Sequence, residues 1–141
     1  MNKYYTIFIA ICVLFNLKCN DFEGTLFRKV TYDYIGFDSL GDTIITGWLK
    51  LNLSDTTKII GEWHFKSINN SKDIGQQTGD GKLMGEKNGS IIGIDLNPWI
   101  ADNNVVLYGK MNNNEYFGKW EWQTLSGVAN KGYFKAIKKI N

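Results

Sequence analysis

Hydrophobic and polar positions alternate along most of this chain. Thr43 to Leu53 sets Ile45, Gly47, Leu49, Leu51 and Leu53 on one side of an extended strand and Thr46, Trp48, Lys50 and Asn52 on the other, because successive strand side chains point to opposite faces. Lys58 to Ile68 repeats the arrangement, with Ile59, Gly61, Trp63 and Phe65 inward and Glu62, His64 and Lys66 outward. Tyr116 to Ala136 does so twice, once with Gly118, Trp120 and Trp122 and again, after a Gly/Asn-containing turn, with Gly132, Phe134 and Ala136. Between these runs the turn-forming residues Asp, Asn, Ser and Gly cluster, which predicts hairpins.

The remaining strands follow the same rule. Leu26 to Tyr34 reads as the first, ended by a turn-rich stretch from Ile35 to Asp42. Asp80 to Glu86, Ile91 to Leu96 and Val105 to Met111 read as the fourth, fifth and sixth. Asn88-Gly89 joins the fourth to the fifth, a pair that favours a type I′ turn. Asn69 to Gly79 is the most polar connection and reads as a candidate mobile loop, and Trp99 to Asn104 is a loop carrying an aromatic ring.

Glycine recurs two residues from a large apolar residue on the inward face, as Gly47/Leu49, Gly61/Trp63, Leu83/Gly85, Leu107/Gly109, Gly118/Trp120 and Gly132/Phe134. An inward glycine leaves room for a neighbouring strand's ring and lets the strand bend, as closure of a sheet requires. Eight consecutive antiparallel strands of this kind predict an all-β, single up-and-down barrel, which removes exposed edges. A two-sheet β-sandwich is the alternative. An apolar inward face opposite Lys50, Glu62, Lys66, Lys119 and Glu121 is the reverse of a membrane-spanning barrel, whose outer band is apolar.

Strands such as GEWHF, GKWEW and KGYFKA resemble those of small lipocalin-like and avidin-like barrels, over most of residues 26–140. Ligand binding inside the barrel is what that resemblance implies.

The first residues change the picture of where the protein works. A basic start, Met1-Asn2-Lys3, leads into the apolar run Tyr4 to Leu17. That run is short for a membrane span of roughly 20 residues and suits the core of an export signal. It ends at Cys19 before the acidic Asn20-Asp21-Phe22-Glu23, a layout that resembles a bacterial lipoprotein leader and implies lipidation of Cys19. Residues 1–18 are thus expected to be a signal peptide, 19–25 a tether and 26–141 the barrel. Free secretion and an uncleaved anchor are the alternatives.

Without Lys3 and Lys18 the basic and acidic residues balance, so a nucleic-acid partner lacks its basic footprint. No cysteine follows Cys19, which leaves no thiolate zinc site and no internal disulfide in the body.

Candidate chemistry is sparse. The only histidine, His64, falls on the outward face, and Glu62 and Glu121 project the same way, apart from any shared cavity. Asp33, Asp38, Asp42 and Asp80 fall in or near turns, where short carboxylates accept backbone N–H groups. No enzyme, metal or cofactor is expected.

The candidate ligand-binding residues are Trp63, Phe65, Trp99, Trp120, Trp122 and Phe134, with a small pocket expected at the mouth near Trp99 and the 69–79 loop. The same rings suffice to fill the interior, since eight strands enclose either a packed core or one small ligand. Two functions are therefore expected. The first is an exported, lipid-anchored, non-enzymatic protein of a bacterial envelope that touches the membrane only through its lipid and binds a small apolar molecule at its mouth. The second is a structural or interaction module with a packed core that meets another envelope protein through its loops and exposed Trp48, Tyr108 and Tyr133.

Overall fold

The computed structural model describes residues 29–140. The expected export signal, Cys19, the tether and the first residues of the first strand lie outside the described residues. Eight antiparallel strands follow in order: β1 (Lys29–Phe37), β2 (Thr43–Asn52), β3 (Lys58–Ser67), β4 (Gly79–Asn88), β5 (Ile91–Asp95), β6 (Asn103–Met111), β7 (Glu115–Thr124) and β8 (Gly127–Lys138). Each pairs with the next, and β8 returns to β1 from Tyr32↔Lys138 to Phe37↔Tyr133. That last ladder closes the barrel; a two-sheet sandwich has no such contact.

Two boundaries differ from the sequence reading for a physical reason. β1 continues through Ile35, Gly36 and Phe37, because these residues find partners on both β2 and β8 before a register shift at Gly36/Phe37. The turn then begins at Asp38, whose Oδ1 accepts the N–H groups of Leu40 and Asp42, each at 2.9 Å. The β4–β5 connection is centred on Gly89-Ser90, since Asn88 pairs with Ile91. Gly89 has φ 61° while Ser90 is not in the left-handed region, the signature of a type II′ turn instead of I′.

The barrel interior is built from rings laid on glycines. Trp63 faces Gly81 across β3–β4, and Trp120 faces Gly132 across β7–β8. A Cβ on Gly81 would come 2.8 Å from the Trp63 indole nitrogen, and one on Gly132 would come 2.6 Å from that of Trp120. Only glycine lets each ring lie flat on the neighbouring backbone. Each indole N–H then donates to a main-chain carbonyl: Trp63 to Leu96 at 2.6 Å and Trp120 to Phe37 at 2.8 Å. Buried indole donors thereby find the partner they need.

Around these rings lie Ile45, Leu49, Leu51, Ile59, Leu83, Ile92, Ile94, Val105 and Leu107, all essentially inaccessible. Outward positions carry charge, with Lys29–Glu62 at 3.4 Å, Lys135–Glu115 at 3.0 Å and Lys139–Asp33 at 3.1 Å. These pairs are exposed and each contributes at most about 1 kcal/mol.

Candidate functional site

Four of the six candidate aromatics meet in one place, inside the barrel. Trp63, Phe65, Trp120 and Phe134 are each no more than 3% exposed. Two of them, Phe65 and Phe134, flank Tyr34, which lies at the predicted end of the first strand. Its ring stacks on Phe65 with centroids 4.1 Å apart and lies 5.7 Å from Phe134, while Tyr116 meets Phe134 edge-on at 4.7 Å. The signal was present in the alternation Tyr32, Tyr34, Gly36, but the predicted end of β1 at Tyr34 hid it.

The tyrosine hydroxyls differ in their partners. The Tyr116 O–H donates to the carbonyl of Leu107 at 3.0 Å. The Tyr34 hydroxyl is buried and has no partner among the described residues, as are Ser67 Oγ and Gln77 Oε1. Burial drives the phenol of Tyr34 far above its ordinary value of 10 and raises that of Tyr116 as well, with the Tyr34 charge adding to the second.

Trp122 is half-buried and sits at one end of the barrel, where residues 68–78 cross the opening. The Gly75 backbone lies against the Trp122 indole so closely that a Cβ there would be 2.7 Å from the ring. The Trp122 N–H donates to Asn103 Oδ1 at 2.6 Å. Ile74 and Gln77 are buried beneath the crossing chain, with Gln77 Nε2 donating to the Ile74 carbonyl at 2.7 Å. Asn130 Nδ2 donates to the Asp73 carbonyl at 2.8 Å and Asn97 Nδ2 to that of Gln76 at 3.2 Å. The segment read as a mobile loop is thus fastened at several points and forms a plug. Its left-handed residues Asn69, Asn70 and Asp73 are of types that tolerate this backbone.

Trp99 stands apart from the other candidates. It is 79% exposed and folds back over the outer wall, beside Ile60 and Met84. It lines no part of the interior.

The opposite end is open. A recess of about 350 Å³ is lined by Tyr32, Leu53, Lys87, Met111 and Lys138 among others, with no carboxylate in its wall. The Tyr32 hydroxyl lies 3.9 Å from Met111 Sδ at its floor. This mouth carries no signal in the sequence because its residues come from the ends of strands far apart in the chain.

The outer wall across β6, β7 and β8 carries aromatic rings and lysines in a checkerboard. Tyr108 faces Lys119, which faces Tyr133; Lys110 faces Phe117, which faces Lys135. Tyr108, Phe117 and Tyr133 are each between 42% and 50% exposed. A trough of about 450 Å³ runs between Phe117 and Tyr133. His64 also lies on the outer wall, half-buried and stacked on Trp48 at 5.9 Å, and Glu62 beside it is engaged by Lys29.

Comparison of the chain with protein-family models, with curated proteins and with solved structures gives no match.

Proposed function

We propose that this protein is an exported, lipid-anchored, non-enzymatic barrel of the bacterial cell envelope that works through its outer surface, as an interaction module around a core that is structural. The observation that carries this reading is a contrast of burial. Rings that would line a ligand cavity are spent on one another in the interior, whereas Tyr108, Phe117 and Tyr133 stand half-exposed on one continuous wall. Large aromatics ringed by polar groups are what protein contact surfaces offer. The lipocalin-like resemblance then applies to architecture, with the ligand role transferred from inside to outside.

A photo-crosslinking amino acid placed at Tyr133 tests this in the producing cells. The expected outcome is a discrete crosslinked product that is absent when the same group replaces Thr46, on a different sector of the wall. Equal labelling from both positions argues against a dedicated face.

A second reading has a specific observation in its favour. The open mouth, with Val30, Tyr32, Leu53 and Met111 at its floor, has the size of a small-molecule site, which typically occupies roughly 300–1,000 Å³. A small apolar ligand at this end, opposite to the one first expected, would restore the binding role.

A further inference from the structure

Charge is sorted along the barrel axis. The plugged end holds Asp38, Asp42, Asp73, Asp80, Asp95 and Asp102 in its connections and strand ends, alongside Lys66 and Lys72. The open end holds Lys29, Lys58, Lys87, Lys110, Lys138 and Lys139 at its strand ends. Carboxylates are present there too: Lys29 and Lys139 are held by Glu62 and Asp33, and Lys58 lies beside Asp55 in the turn and opposite Glu86. Glu115 engages Lys135. Lys87, Lys110 and Lys138 have no ion-pair partner among the described residues. Two of these three, Lys87 and Lys138, stand in the carboxylate-free wall of the open recess, above the apolar floor of Tyr32, Val30, Leu53 and Met111.

We infer that the open end of the barrel docks onto a bilayer surface rich in anionic lipid headgroups, with Lys87 and Lys138 taking the headgroup charge at the mouth. The path of the chain points to the same occupant. Residues 1–28, with the apolar run Tyr4 to Leu17 and Cys19, join the barrel at Lys29, on this end. From Cys19 to Lys29 the chain reaches at most ~35 Å when fully extended, so an anchor at Cys19 keeps the open end next to the membrane. Tethering raises the local concentration of headgroups, and lysines without partners gain most from a negative surface that acts over about one Debye length, ~8 Å at physiological salt. The orientation rests on the proposed anchor. The docking itself is measured without it, and no protein partner enters the test.

All eight strands lie within residues 29–140, and the sheet closes on itself there, so a chain beginning at Asn20 keeps the whole fold and lacks both leader and cysteine. This body is sedimented with vesicles of phosphatidylcholine alone or with about 30 mol% phosphatidylglycerol, at low and high salt. Binding is expected to the anionic vesicles only and to be released by salt. Lys87→Gln with Lys138→Gln is expected to weaken it by roughly 25-fold, about fivefold per lysine. Lys110→Gln alone should give about a fivefold loss, which keeps the test available if the double variant unfolds. Lys66→Gln with Lys72→Gln, away from the open end, should leave binding unchanged. Equal binding to both kinds of vesicle overturns the inference, as does equal weakening by the two double variants, since neither outcome allows an oriented end.

Discussion

A tryptophan lying on a glycine is the unit from which this interior is made, and it is sensitive from both sides. Trp120 is fully buried and its indole N–H is satisfied by Phe37, so Trp120→Ala is expected to cost ~3–5 kcal/mol in denaturant unfolding. Gly132→Ala pushes a methyl into the Phe37 carbonyl as well as the same ring and should cost ~3 kcal/mol or more. The buried Tyr34 hydroxyl gives the opposite sign. Without a protein partner for the O–H, Tyr34→Phe should be close to neutral or stabilising at neutral pH. It should also change the alkaline limit. The Tyr34 and Tyr116 phenols are raised above 10 in the folded state, so stability is fully present below pH 10. Above it the unfolded chain ionises first and stability falls as pH rises. In a pH series of thermal unfolding, that fall is expected to be shallower in Tyr34→Phe than in the wild type.

At the scale of elements, the strands were legible because period-two alternation runs through nearly all of them and turn residues separate them. Six of the eight are marked by Leu49, Trp63, Leu83, Leu107, Trp120 and Phe134, while β1 and β5 are marked by short apolar runs bounded by turn residues. The contacts at the end of β5 and the plug were not legible. β5 ends at Asp95, the Leu96 carbonyl beyond it takes the Trp63 indole N–H, and Trp99 folds back beside Ile60 and Met84, contacts that no local pattern encodes. The 68–78 segment is polar almost throughout, and of its two apolar residues, Ile68 and Ile74, only Ile74 is buried, so it gave no periodic signal. Its fastening predicts a particular failure. Ile74→Ala is expected to cost ~2–5 kcal/mol if the plug unfolds with the barrel. The alternative is that the plug lifts by itself, in which case Trp122 fluorescence would shift to the red well before the global transition.

The whole molecule is a closed sheet with unlike ends: one plugged and bordered by aspartates, the other open and bordered by lysines. Closure depends on β8, which pairs with both β7 and β1, so a chain ending after Ser126 leaves two edges unpaired and should lose cooperative unfolding. The ends were hidden in the sequence because each is assembled from the tips of several strands, and neither has a motif of its own. The candidate ligand residues were mostly legible as inward positions, but inwardness does not distinguish a lining from a filling. That distinction came from the mutual contacts of Tyr34, Phe65, Tyr116 and Phe134. Intact-mass spectrometry of the mature body, native against denatured and free of detergent, tests the filled core and outward-facing role most directly. The prediction is one mass in both samples, apart from any covalent lipid. Additional mass in the native sample that is lost on denaturation would contradict it and return the function to the barrel's mouth.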